Sequence, residues 1–85
     1  MDDDIEYVRR SKNRTSIMKS LDEFPKIPSE LAEATVISRQ HTSHGLKGLS
    51  DRDLVVCLKP EELRGRIYRL TEKGEKVLEE VLKKR

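Results

Sequence analysis

Side chains that can bond to nucleic-acid bases are concentrated in one short segment near the middle of the chain. An arginine can pair with the O6 and N7 atoms of guanine, and a glutamine with N6 and N7 of adenine. Serine and histidine can bond to bases or phosphates, and a lysine one turn further along is better placed for the phosphate backbone. An ordinary solvated helix face is the alternative interpretation. The side chains concerned are Ser38, Arg39, Gln40, His41, Ser43, His44 and Lys47.

A helix over about residues 38–50 is the element that must carry these side chains. Ser38 is a good N-cap residue, because its hydroxyl can accept a bond from a free N–H group of the first turn. Gly45 and Gly48 each cost about 1 kcal/mol relative to alanine inside a helix, so we expect this helix to be soft by itself. The opposite, apolar side is predicted from the i, i+4, i+7 spacing of Thr42, Leu46 and Leu49.

A β-hairpin is predicted directly after this helix, from short β-branched runs at 54–58 and 66–70. Basic residues lie in or beside its loop, so a wing over 58–66 can lie along the phosphates or insert an arginine into the minor groove. Glu61 and Glu62 in the loop make its tip less positive. Arg66 could instead form a hydrogen bond within the hairpin. The candidate wing contacts are Lys59, Arg64 and Arg66.

No constellation of residues in the sequence points to catalysis, a metal or a cofactor. The serines and histidines lie on one predicted helix face with no orienting acid, and the glycines form no phosphate-binding loop. His41 and His44 have a spacing that suits two metal ligands, but no carboxylate or thiol near them completes a site. Cys57 lies in a predicted strand, where we expect a small buried hydrophobe. We therefore predict a protein that is not an enzyme.

Two helical stretches and a shorter third one precede the base-bonding segment. Residues 1–10 form an N-terminal extension or a short helix, which is either separate from the stretch at 11–23 or continuous with it. Pro28 suits the first turn of the next helix. Ser29, close to that helix N-terminus, is a further candidate for a phosphate contact.

A final helix over 71–85 is predicted to begin at Thr71, which is a suitable cap. Its apolar stripe is narrow enough for a helix pair, and the N-terminal residues offer a second apolar patch. Packing inside the monomer is the alternative for both, and both arrangements can hold together. The candidate dimerisation residues are Ile5, Val8, Val77, Leu78, Val81 and Leu82.

Composition limits the size and the environment of the protein. The 85 residues are 40% charged and 34% hydrophobic, with a net charge of +2, which predicts one small domain over 1–85. The charge is unevenly distributed, because the segment 9–21 carries five bases and no acid. The sequence contains no apolar run of membrane-spanning length, and the lone cysteine favours a reducing compartment, so we expect a cytoplasmic protein.

The order of the predicted elements, α-α-α-β-β-α, indicates a winged helix-turn-helix of the α+β class, mostly α. Its three-helix core carries a two-stranded wing and a C-terminal helix. Because the apolar residues of each element fall on one face, 34% hydrophobic residues are enough for a small core.

Four segments resemble the signatures of archaeal winged-helix transcriptional regulators related to the ArsR and MarR families. The resemblance covers residues 11–82, and its most specific part is the Arg-x-Tyr-x-Leu-Thr-x-x-Gly pattern within the last segment. The segments are Ser11-Lys12-Asn13-Arg14 with Ile17, Ile27-Pro28-Ser29-Glu30-Leu31-Ala32, the series Ser38, Ser43, Leu46, Leu49, Leu54-Val55, and Gly65-Arg66-Ile67-Tyr68-Arg69-Leu70-Thr71-Glu72-Lys73-Gly74.

The resemblance implies sequence-specific binding of double-stranded DNA, usually by a homodimer on a palindromic site, and control of transcription. It names no effector. The chain departs from the family pattern at Asp53, where a glycine usually stands, at Val36, where glycine or a polar residue is common, and at Gly45 and Gly48. A winged-helix module that binds a protein partner in a larger assembly is the alternative function.

Overall fold

Five helices and a two-stranded hairpin follow one another in the computed structural model, which describes residues 2–58 and 66–83. This architecture confirms the predicted winged-helix class, with the N-terminal segment present as a helix of its own. The elements are α1 (Asp2–Arg9), α2 (Lys12–Glu23), α3 (Pro28–Thr35), α4 (Arg39–Asp51), β1 (Val55–Cys57), β2 (Tyr68–Leu70) and α5 (Glu72–Lys83).

The first two helices are separate, because the chain is extended at Ser11, where φ is −129°. The Ser11 hydroxyl accepts a hydrogen bond of 3.2 Å from the Arg14 N–H and so caps α2. The Thr15 hydroxyl donates to the Val8 carbonyl over 3.1 Å, which ties the end of α1 to the first turn of α2. Of the two alternatives that the sequence left open, one continuous helix or two separate helices, the structure has two separate helices.

Strands β1 and β2 pair antiparallel, with Val55 opposite Leu70. A third, single-residue strand joins them, because Lys26 and Tyr68 exchange backbone hydrogen bonds of 3.1 and 2.9 Å. The sequence predicts no strand there, since one bridging residue leaves no pattern of alternation. The bridge fastens the α2–α3 connection to the root of the wing.

A single apolar cluster lies between the helices and the hairpin, and each helix and strand contributes to it. Thr42, Leu46 and Leu49 are buried along α4, which confirms the predicted inner face of that helix. The side chains with almost no exposed surface include Val8, Ile17, Met18, Leu31, Leu49, Leu54, Val55 and Val77.

Two non-glycine residues with positive φ flank α4, and they are two of the positions at which the chain departs from the family pattern. Val36 follows α3 with φ 58° and ψ 38°, and Asp53 precedes β1 with φ 62°. The left-handed conformation is unfavourable for residues that carry a Cβ, which is why glycine commonly occupies it. The turns are thus retained although their residues are strained.

The glycines inside α4 allow close packing of this helix on its neighbours. A Cβ built at Gly45 would lie 2.7 Å from Cδ1 of Ile17, and one built at Gly48 would overlap the Tyr7 hydroxyl. Both glycines lower the helix propensity of α4, but Gly45 allows close contact with α2 and Gly48 with α1.

Candidate nucleic-acid interface

Helix α4 begins where its predicted cap places it. The Ser38 hydroxyl accepts a 3.1 Å hydrogen bond from the His41 N–H, and the Thr42 N–H donates to the Ser38 carbonyl over 2.9 Å. Two groups of the first helical turn are thus bonded locally. The start of the helix is fixed by residues within four positions of one another.

The side of α4 that faces away from the core carries the predicted polar residues, and all of them are exposed. The burial of Thr42, Leu46 and Leu49 fixes the rotation of the helix about its axis, so the side opposite these three residues faces outward. Ser38 also lies at the surface, at the end of this row. The exposed side chains, termed the α4 surface below, are those of Arg39, Gln40, His41, Ser43, His44 and Lys47.

Lys47 forms an ion pair with Asp51, one turn further along α4, at 3.6 Å. The two side chains are 78% and 66% exposed, so the pair is weak and easily exchanged for another anion. Between Ala34 and Ser50 the sequence contains no acid, whereas it contains Arg39 and Lys47. The electrostatic character of the α4 surface is therefore mildly basic and becomes mixed only at its C-terminal end.

Ser29 is partly buried in the first turn of α3 and lines a shallow depression together with Arg39. The fold thus brings together two candidate residues that lie ten positions apart in the sequence. Glu30 and Glu33 line the same depression, and their charges reduce its attraction for a phosphate.

The root of the wing approaches the C-terminal half of the α4 surface. Arg66, just before β2, lines a groove with Ser43 and Lys47. The predicted wing contacts Lys59 and Arg64 lie outside the described residues. Of the predicted wing, the structure therefore places only Arg66 beside the α4 surface.

Almost the whole chain matches the model of one protein family. A model described as the HVO_A0261 N-terminal domain matches residues 2–84. The chain belongs to that family. No curated protein sequence matches the chain significantly.

Solved structures similar to this member of the family are bacterial transcriptional regulators. The adhesin competence repressor of Streptococcus pyogenes, at 22% identity and a TM-score of 0.75, shows the fold, with 85% of this chain and 55% of that chain covered. A MarR family transcriptional regulator from Silicibacter pomeroyi has 28% identity and a TM-score of 0.70, over 79% and 44% of the two chains. A mutant of Lactococcus lactis ZitR, solved in complex with DNA, has 25% identity and a TM-score of 0.71, over 82% and 49%.

The chain thus spans about half the length of the solved structures that it matches. These structures support the MarR-like part of the resemblance found in the sequence. The ArsR-like and archaeal parts stay predictions.

A polar cluster that was not predicted from the sequence joins α1, α2, the C-cap of α4 and α5 behind the α4 surface. The carboxylate of Asp4, only 10% exposed, bonds to Nη1 of Arg52 at 3.0 Å and to Nζ of Lys73 at 3.2 Å. The ring of Tyr7 lies between two guanidinium groups, with Cζ of Arg14 at 3.7 Å and Cζ of Arg52 at 4.0 Å from its centroid. These five residues are termed the α1 junction below.

The α1 junction commits one base of the basic segment 9–21, Arg14, to the fold. Arg14 also donates a 2.6 Å hydrogen bond to the Tyr7 carbonyl. Lys73 donates to the Arg52 carbonyl over 3.0 Å. No local pattern in the sequence links Asp4 to Arg52, which lies 48 positions away.

The pKa of Asp4 is held below its ordinary value of 3.8 by these contacts. Burial acts in the opposite direction, because it disfavours the ionised carboxylate, and it is the largest individual influence. The hydrogen bonds and the positive charges of Arg52 and Lys73 together outweigh it. Asp4 is therefore ionised at neutral pH and links α1 to the C-cap of α4 and to α5.

Most residues of the predicted dimerisation set lie inside the protein's own core. Val8, Val77, Leu78 and Val81 are at most 9% exposed, because α1 and α5 pack against each other and against α2. This corresponds to the intramolecular alternative for these four side chains. Ile5 is partly buried and Leu82 is 50% exposed, so these two remain accessible to a second subunit.

Among residues 2–58 and 66–83, no group of three His, Cys, Asp or Glu side chains converges on a point where it could hold a metal ion. Over the same residues, no helix has both the length and the apolar character needed to cross a membrane. Cys57 is a free thiol and is partly buried in β1.

Proposed function

We propose that this chain binds double-stranded DNA in the cytoplasm as the DNA-binding domain of a transcriptional regulator and is not an enzyme. Residues 1–85 then form one winged-helix domain. The observation that carries the proposal is the α4 surface, whose six polar side chains all project from a helix whose other side is buried. The similar solved structures support it, since they are regulators and one of them is a DNA complex.

In this proposal α4 enters the major groove with its N-terminal half. Arg39 pairs with a guanine and Gln40 with an adenine, while Ser43 and the two histidines bond to bases or phosphates. Lys47 contacts the phosphate backbone and exchanges Asp51 for a phosphate oxygen, because its present ion pair is solvent-exposed.

The flanking contacts position the helix on the duplex. Arg66 contacts the backbone from the groove that it shares with Lys47, and Lys59 and Arg64 extend the contact along the phosphates or into the minor groove. Ser29 bonds to a phosphate from the first turn of α3, where unpaired N–H groups also favour an anion.

A homodimer on a palindromic site is the assembly that we propose. In a symmetric pair, two copies of α4 enter the major groove about 34 Å apart, which is one turn of B-DNA. Of the candidate dimerisation residues, Ile5 and Leu82 are the two that stay accessible at the surface.

A binding selection tests the proposal. Random-sequence duplexes are enriched on the purified protein, and the selected duplex is titrated over a salt series by fluorescence anisotropy. DNA binding through phosphates should weaken by about 0.9 log units per contacted phosphate for each tenfold rise in salt. A protein–protein interaction module, the alternative function, should enrich no sequence.

Matched arginine variants locate the interface. Arg39→Ala should lose specific affinity, whereas Arg10→Ala should keep it, because Arg10 is exposed directly after α1 and pairs there with Glu6 rather than lying on the α4 surface. Equal affinity of both variants for the selected duplex would show that α4 is not the reading helix.

A further inference from the structure

Val36 combines two properties that neither the backbone nor the core of the protein accounts for. It adopts the left-handed conformation, with φ 58° and ψ 38°, although a β-branched residue is an outlier there. The residue is also 91% exposed, more than any other large hydrophobic residue among 2–58 and 66–83. Glycine at this position would remove the strain, and a polar residue would suit the exposure.

The packing of the helix-turn-helix does not need the Val36 side chain. The N–H of the next residue, Ile37, bonds to the Ala32 carbonyl at 3.2 Å, and the Ile37 side chain packs against the core. The hydrophobic contact that commonly accompanies such a helix end is thus made by Ile37. Val36 retains an isopropyl group that stabilises nothing within the described residues.

The position of Val36 in the chain suggests what the isopropyl group contacts. It lies two residues before the Ser38 cap and three before Arg39, at the end of α4 that is proposed to enter the major groove. Glu30 and Glu33 line the depression on the α3 side of the turn. On the α4 side, every polar residue from Ser38 to Ser50 is neutral or basic, so that side attracts a polyanion rather than an apolar protein surface. Within the major groove, the thymine C5-methyl group is the one apolar feature, and aliphatic side chains read it by contact.

We infer that Val36 is a specificity-determining residue that recognises the C5-methyl group of a thymine next to the base read by Arg39. The inference rests on the proposed DNA-binding function. The strain in the turn is then retained because the side chain is used when the protein is bound to its DNA site.

The test pairs protein variants with DNA that lacks single methyl groups. Each thymine of the selected duplex is replaced in turn by deoxyuridine, which removes only the C5-methyl group. Affinities are measured for the unmodified protein, for Val36→Gly and for Val36→Ala. Val36→Gly relieves the backbone strain and Val36→Ala keeps it, so agreement between the two variants separates the lost contact from the relaxed turn.

One thymine is expected to respond to both changes. Its replacement should weaken binding of the unmodified protein about fourfold, the equivalent of one buried methyl-sized group, and should leave both variants unaffected. Both variants should bind the unmodified duplex about fourfold more weakly.

Two results would overturn the inference. One is a selected duplex on which no thymine distinguishes the variants from the unmodified protein, and this result leaves the proposed DNA binding intact. The other is a failure to enrich any duplex, and this result removes the proposed function as well.

Discussion

Two arginines at opposite ends of α4 have opposite environments. Arg39, the first residue of the helix, is exposed on the α4 surface, whereas Arg52, the C-cap, is bound to Asp4 and covers the Tyr7 ring. The same side chain is thus available for a ligand at one end and committed to the fold at the other. A basic residue in the sequence therefore indicates DNA contact only if the tertiary structure leaves its charge uncommitted.

The largest expected effect is on DNA affinity and follows from removing each arginine in turn. Arg39→Ala should weaken binding to the selected duplex by about 5- to 150-fold, the equivalent of about 1–3 kcal/mol for one base contact. Its free energy of unfolding should change by no more than about 0.5 kcal/mol. Fluorescence anisotropy and urea unfolding measure the two quantities.

Arg52→Ala is the variant to compare with Arg39→Ala, and we expect it to lose stability and keep DNA affinity. Its free energy of unfolding should fall, and its DNA affinity should be unchanged, since a domain that stays mostly folded presents the same α4 surface. Equal losses of DNA affinity in the two variants would contradict the contrast between the two ends of α4.

The next largest effect concerns the α1 junction itself. Asp4→Asn should lower the free energy of unfolding by about 1–2 kcal/mol, because it removes a charged acceptor shared by two cations that are themselves partly solvated. Glu80→Gln is a suitable control, since Glu80 and its partner Lys83 are both exposed. Urea unfolding should show little change for the control variant, and an equal loss in both would mean that the junction is no stronger than a surface pair.

Acidification should remove the stabilisation that the ionised Asp4 carboxylate provides. The pKa of Asp4 lies below 3.8 in the folded protein, whereas it returns to about that value on unfolding. The stability that Asp4 contributes is therefore fully present above pH 3.8 and is lost as the pH falls through the folded pKa. The difference in unfolding free energy between the unmodified protein and Asp4→Asn should narrow over this range, and a constant difference would show that ionisation is irrelevant.

The smallest expected effect compares two adjacent residues on the two sides of α4. The Thr42 hydroxyl is fully buried and has no hydrogen-bond partner among residues 2–58 and 66–83. Thr42→Val should therefore stabilise the protein by about 1 kcal/mol and leave DNA affinity unchanged. Ser43→Ala should weaken DNA binding with little change in stability, and a destabilised Thr42→Val would indicate that the hydroxyl is bonded after all.

The features that local sequence patterns predicted are those that depend on residues a few positions apart. The stripe of Thr42, Leu46 and Leu49 predicted which side of α4 is exposed, and Ser38 predicted where the helix begins. Thr71 was likewise predicted as a cap, and its hydroxyl accepts a 2.9 Å hydrogen bond from the Gly74 N–H. Capping and helical period act within about four residues, so a single sequence contains the information.

The features that the sequence analysis missed or left open depend on distant contacts. The apolar stripe of α5 fitted both a dimer and the monomer core, and the packing of α1 against α5 buried Val77, Leu78 and Val81 within the monomer. The Lys26 bridge to β2 joins residues more than forty positions apart. In both cases, no local sequence pattern indicates which distant residues come into contact.

The sequence by itself determined the class of the fold and the polar character of one side of α4, because both follow from the spacing of apolar and capping residues. The tertiary structure alone decided which charges are committed to the fold. Arg14, Arg52 and Lys73 look like Arg39 in the sequence, but the approach of α1 supplies Asp4 and Tyr7 as their partners. The energy of an ion pair depends on a separation of a few ångströms, which only the assembled fold sets.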